Sequence, residues 1–173
     1  TMAHPKDEVY SKPMPSIEAF RFDQSVADVF QDMIERSVPG YGLVLQLIGV
    51  LAEKYGQPGT QAYDLGCSLG ASTLQLRRHL PDDCHVIGVD NSEAMVSRCT
   101  ANLSRDHSAA TYEILLEDLR ETKIDNASIV ILNFTLQFVP DEERRKILAR
   151  VCEGLNDGGI LLLAEKVKFE DAS

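Results

Sequence analysis

The stretch "YDLGCSLGAST", Tyr63–Thr73, decides how the rest of the chain is read. It fits two patterns. Gly66-Cys67-Ser68-Leu69-Gly70 matches G-x-S-x-G, the strand–turn–helix elbow of serine hydrolases, with Ser68 as nucleophile. The same residues, with Asp64 ahead of them, also match a glycine loop that cradles a nucleotide-like ligand. Under both readings a strand enters the loop and a helix leaves it.

Outward from this loop the chain alternates. "QAYDLG" reads as a strand, and "ASTLQLRRHL" as a helix stopped by Pro81. "HVIGVD" and "TYEILLED" read as strands, with "SEAMVSRCTANLS" between them as a helix capped by Ser92. "SIVILNF" is continuously apolar, which suits a strand covered on both faces. "DEERRKILARVCEGL" is a helix, "DGG" a turn and "ILLLAEK" a fifth strand. Upstream, "SVADVFQDMIERS" carries Val26, Val29, Phe30 and Met33 at helical spacing, and Pro39-Gly40 breaks it. "LVLQLIGVLAEKY" then reads as a buried helix. The order predicts an α/β fold: a doubly wound, mostly parallel, Rossmann-like sheet with helices on both faces. Residues 1–20, with Pro5, Pro13 and Pro15, read as an N-terminal arm, and 21–173 as one α/β domain.

In such sheets ligands bind beyond the carboxyl ends of the strands, near the point where strand order reverses. Four strands reach that edge with polar residues. The first brings Asp64 and the loop to Gly70, the second Asp90-Asn91, the third Asp118 after Glu117, and the fourth Asn133. A carboxylate accepts hydrogen bonds and donates none, so it can hold both hydroxyls of a ribose. Asp90 stands 20 residues after Gly70, the spacing of an acidic ribose ligand. Gly66 and Gly70 let a ligand press against the backbone, and Ser68, in place of a middle glycine, is small enough to allow it. Asp64 would repel a pyrophosphate and suits a cationic amine. The pattern therefore favours a nucleoside carrying an amino acid, as in S-adenosylmethionine, over a dinucleotide. The hydrolase reading lacks a base, because His4, His79, His85 and His107 all precede the fourth strand and that order needs a later histidine.

Composition narrows the function classes. The 173 residues carry a formal net charge of −10, whereas proteins that grip a nucleic-acid backbone present a basic footprint. Arg77-Arg78 and Arg144-Arg145-Lys146 read as solvated helix faces. A small-molecule substrate is expected, with no direct nucleic-acid contact. There is no apolar run of about 18 residues and no apolar signal region at the start, so no membrane contact is expected. Cys67, Cys84, Cys99 and Cys152 lie far apart and form no C-x-x-C, which argues for thiols in a reducing cytoplasm and against a metal site.

The strand-end residues, with "LNDGG" (Leu155–Gly159), resemble the class I S-adenosylmethionine-dependent methyltransferase family. Longer stretches are more specific. "DMIERSVPGY", "YDLGCSLGASTL", "VDNSEAM", "NASIVILNFTLQF" and "EKVKFEDA" resemble one branch, the carboxy-S-adenosylmethionine synthase family, from about Phe22 to the end. That resemblance implies that S-adenosylmethionine serves as a substrate. With prephenate it yields carboxy-S-adenosylmethionine, phenylpyruvate and water. A partner enzyme passes the carboxymethyl group to a hydroxylated wobble uridine in tRNA, and a homodimer is implied. Carried over by motif, the cofactor residues are Tyr41, Gly66-Cys67-Ser68, Asp90-Asn91, Asp118-Leu119 and Asn133. Asp90 would hold the ribose, Asp118 the adenine amine and the Leu119 amide the ring edge. Asn133 and Gly66 would meet the methionine part, and Tyr41 would close the pocket. No residue is assigned as catalytic.

The chain departs from that family beyond its fifth strand. Family members continue into antiparallel strands and an arginine that binds the new carboxylate, so a C-terminally truncated domain is expected here, with the clamp beyond Ser173. Arg36 is the local substitute candidate. An ordinary methyltransferase acting on a small molecule or tRNA would share the cofactor pocket, although "NFTLQF" has no D-P-P-Y-like base. A non-enzymatic module that retains the nucleoside is the other alternative.

Overall fold

The computed structural model describes residues 24–167; the arm expected over 1–20 lies outside them. Five strands form one sheet: β1 (Gln61–Leu65), β2 (His85–Asp90), β3 (Thr111–Leu116), β4 (Ala127–Asn133) and β5 (Leu155–Ala164). Their order is β3-β2-β1-β4-β5, and every pair is parallel. The chain winds outward from β1 to β3, then returns to β4 and winds the other way. Strand order thus reverses between β1 and β4, which opens a crevice above their carboxyl ends.

The two-residue period of a strand divides the core. Tyr63, Leu65, Ile87, Val89, Val130 and Leu132 face Ile147 and Val151 of α5 (Asp141–Gly154). Ala62, Val86, Ile129 and Ile131 face Ile48 and Ala52 of α2 (Tyr41–Tyr55) and Leu76 of α3 (Ala71–His79). Ile129, Val130, Ile131 and Leu132 are each at most 1% exposed. Each contributes about 1.5–3 kcal/mol by leaving water. A one-residue slip would exchange the two faces of the strand, so packing on both sides holds the register. Edge strand β3 has an outer side open to solvent, and its residues alternate between exposed and half-buried over most of its length. Helix α4 (Glu93–Leu103) starts where expected, its Met95 amide donating to the Ser92 hydroxyl at 3.2 Å.

Three local expectations are corrected. Helix α2 is not buried all round: Leu43, Leu47 and Val50 are 69%, 48% and 59% exposed. One side of the helix packs on the sheet and these residues lie off it. "DGG" is no free turn but an irregularity within β5. While β4 advances from Ala127 to Ile129, β5 advances from Leu155 to Ile160, and Gly158 absorbs the excursion at φ +78°. Arg77 is not on a solvated face. It is 6% exposed, its Nε donates to the Ala110 carbonyl at 3.0 Å, its Nη1 meets Asp106 at 3.1 Å, and its guanidinium lies 4.4 Å from the Tyr112 ring centre. That cation ties α3 to the loop before β3.

Candidate functional site

A cavity of about 620 Å³ opens above the carboxyl ends of the strands, within the usual range for small-molecule sites. Its roof comes from α1 (Gln24–Ser37), through Phe30, Met33 and Ile34. Its floor is the loop between β1 and α3.

Backbone geometry sets that floor. Gly66 and Gly70 lie at φ +87° and +88°, and Ser68 at +50°. The Gly66 and Cys67 amides both donate to the Val89 carbonyl, at 2.8 and 2.9 Å. The loop therefore folds over the end of β2, where the Ser68 amide donates to Asp90 Oδ2 at 3.0 Å. The Ser92 amide donates to Asp90 Oδ1 at 2.9 Å. Burial raises the Asp90 pKa, and the backbone amides of Ser92, Ser68 and Asn91 counter that rise. The carboxylate is thus oriented by backbone amides while retaining lone pairs for a ligand.

Of the residues expected at the site, Tyr41, Gly66, Cys67, Ser68, Asp90, Asn91, Asp118, Leu119 and Asn133 line this cavity. Asp64 and Gly70 stand behind the wall. Asp64 is 1% exposed and accepts from the Thr73 hydroxyl at 2.7 Å. Burial lifts its carboxyl to about 6. Gly70 begins α3, where a side chain would lie 2.6 Å from Leu103 and 2.7 Å from the Cys99 sulfur. The Cys67 thiol sits against Cys99, and that contact together with burial pushes its pKa up, so it is no thiolate nucleophile. The Tyr41 hydroxyl is pushed up to about 12, chiefly by burial and then by Asp64.

Asp118 is engaged by its neighbour. Arg120 Nε donates to both of its oxygens, at 3.0 and 2.9 Å, and Nη2 to one at 2.5 Å. These bonds hold the Asp118 carboxyl below its ordinary range. Asn133 donates from Nδ2 to the Ser72 hydroxyl at 3.2 Å, while its buried Oδ1 has no hydrogen-bond partner among the described residues. Buried acceptors are nearly always satisfied, so this one marks a place for a donor. Beside it Phe134 adopts φ +57°, its ring centre 6.5 Å from that of Tyr41.

Several lining residues escaped the sequence reading: the α1 roof, Arg120, Phe134, Thr135 and Lys166. Thr135 and Lys166 had a usable signal, each a polar residue two places past a parallel strand. Arg36 is not among the lining residues and pairs with Asp32 at 3.1 Å. No described histidine lines the cavity, which leaves Ser68 without a histidine base there. Among the described residues no helix is long and apolar enough to cross a membrane, and no cluster of His, Cys, Asp or Glu could hold a metal ion.

The sheet order and the strand-end cavity define a class, and a family model described as a methyltransferase domain matches residues 62–159. Solved structures agree at the level of fold. A putative S-adenosyl-L-methionine-dependent methyltransferase from Methanococcus maripaludis superposes with TM-score 0.64 at 19% identity, covering 87% of this chain and 67% of that one. The cyclopropane synthase MmaA2 from Mycobacterium tuberculosis gives 0.62 at 18% identity, covering 75% and 45%. Sequence relatives are nearer. The carboxy-S-adenosyl-L-methionine synthase of Shewanella sp. (strain MR-7) is 51% identical over 168 residues, which are 96% of this chain and 69% of the relative. The same-named protein of Klebsiella pneumoniae subsp. pneumoniae is 50% identical over 172 residues, 99% of this chain and 69% of the relative. The chain belongs to the carboxy-S-adenosyl-L-methionine synthase family.

Proposed function

We propose that this chain converts S-adenosylmethionine and prephenate to carboxy-S-adenosylmethionine, the donor for the 5-oxyacetic acid group of wobble uridine in tRNA. One observation carries the reading: at one end of the cavity the Ser68 and Ser92 amides aim the Asp90 carboxylate, and at the other Asn133 Oδ1 is an orphaned acceptor. The first suits a ribose. The second suits the α-ammonium of the methionine part. Between them Gly66, Cys67 and Ser68 offer backbone, with Asn91 beside Asp90. Asp118 and the Leu119 amide take the adenine edge, Arg120 giving way in part, and Tyr41 closes the methionine end. Asp64 and Gly70 support the loop from behind.

In this reaction prephenate loses carbon dioxide and hydroxide as its ring becomes aromatic. Hydroxide takes a proton from the methyl group on sulfur, forming water. The electron pair left on that carbon makes the new bond to carbon dioxide. The protein supplies no base in this scheme. It orients two substrates and keeps water out, a task suited to the apolar roof of Phe30, Met33 and Ile34.

The net charge of −10 supports a small substrate without direct nucleic-acid contact. Separated cysteines support a cytoplasmic setting. The exposed Leu43, Leu47 and Val50 on α2 support a homodimer, for which sedimentation is the check. Mass spectrometry of the nucleoside after incubation with both substrates tests the reaction. The expected product is heavier by one carbon dioxide. Demethylated nucleoside alone would mean ordinary methyl transfer, and unchanged nucleoside would refute the reading.

A further inference from the structure

Charge is unevenly distributed around the cavity. Among the described residues the lining carboxylates are Asp90, which ends β2, and Glu117 and Asp118, which follow β3. Among the described residues the lining cations are Arg120 and Lys166. Arg120 is committed to Asp118 through three side-chain hydrogen bonds. Lys166 follows β5, at the opposite edge of the sheet, and is exposed to solvent. Among the described residues it forms no ion pair.

Two hydrogen bonds hold the chain just before Lys166. The Phe134 amide donates to the Ala164 carbonyl at 2.8 Å, and the Leu136 amide to Glu165 Oε1 at 2.6 Å. These bonds sew the end of β5 to the segment that follows Asn133. Strands lie about 4.8 Å apart, so β5 is some three spacings, about 14 Å, from β2 and Asp90. A nucleoside laid from Asp90 towards Asn133 would direct its sulfur end to the Lys166 side.

We infer that Lys166 binds a carboxylate of the second substrate and so selects an anionic co-substrate; this rests on the function proposed above. Prephenate carries two carboxylates, and a chain of net charge −10 repels it at long range. An ammonium on the cavity lining, without an ion-pair partner among the described residues, supplies local attraction at the end where the new carbon–carbon bond forms. Its flexible stem and three donors let it follow the carboxylate as the substrate turns.

Two substitutions test this. Lys166→Met keeps the stem and removes the charge, and Lys166→Arg keeps the charge. The exposed position lets both fold, which a melting curve verifies. In Lys166→Met the KM for prephenate should rise about ten- to a hundredfold, and Lys166→Arg should recover most of it. Affinity for S-adenosylhomocysteine should change by less than about threefold, because that ligand contacts the other end. Added salt should raise KM more in the unaltered protein than in Lys166→Met. An unchanged KM in Lys166→Met overturns the inference, as does an equal loss of S-adenosylhomocysteine affinity. In the first case the unaltered chain still makes carboxylated product, and only the role of Lys166 falls. If the unaltered chain makes none, the proposed function fails and this inference with it.

Discussion

Asp64→Asn should relieve the fold of a pH-dependent destabilisation. Asp64 is 1% exposed in β1. Burial lifts its carboxyl from 3.8 to about 6; the Thr73 hydroxyl opposes the rise and Asp90 adds to it. The sign follows from proton binding. The folded state holds this proton more tightly than the unfolded state does, so the group favours folding below pH 3.8. That advantage is lost as the pH climbs through 6. A shift of about two units corresponds to about 3 kcal/mol in all. Between pH 5 and pH 7.5 the loss amounts to about 1.4 kcal/mol. Asparagine has nearly the same shape, can still accept from Thr73 and does not titrate. Its extra N–H, if unpaired, costs about 1–3 kcal/mol, but that cost is independent of pH. The stability of Asp64→Asn relative to the unaltered chain should therefore climb by about 1.4 kcal/mol from pH 5 to pH 7.5, read by urea unfolding at each pH. A difference that stays constant over that range would refute the reasoning.

Asp90→Ala should weaken S-adenosylhomocysteine binding by about 1.5–3 kcal/mol; an unchanged Kd by titration calorimetry would remove Asp90 from the ribose. Gly70→Ala should destabilise the fold by about 2–4 kcal/mol, because φ is +88° and the added methyl meets Leu103 and Cys99 below 3 Å. An unaltered melting temperature would show that the loop relaxes freely.

The strands and helices were legible because two periodicities coexist in the chain. The apolar run of β4 announced a strand buried on both faces, and each of its six residues before Asn133 is buried. Ser92 announced the start of α4. Asp90, Asp118 and Asn133 were legible because a polar residue at the end of an apolar strand needs a reason, and all three line the cavity. The α1 roof was not legible, since Phe30 and Ile34 follow the same helical period whether a helix covers a core or a ligand. Asp64 was expected at the ligand edge. In the structure β1 runs on through Leu65, and alternation turns the Asp64 side chain towards Thr73 of α3. The burial of Arg77 was hidden for another reason: its partners are carbonyls and an aspartate some thirty positions away, and nothing local to "LRRHL" encodes them.

Ser68 and Phe134, both lining the cavity, hold their backbones in the left-handed region. For a residue with a side chain that posture costs about 1–3 kcal/mol. Glycine at either place should relieve that cost and remove a side chain that lines the cavity. A chain bred only for heat resistance should drift towards glycine there, so robustness and ligand capture pull these two positions in opposite directions.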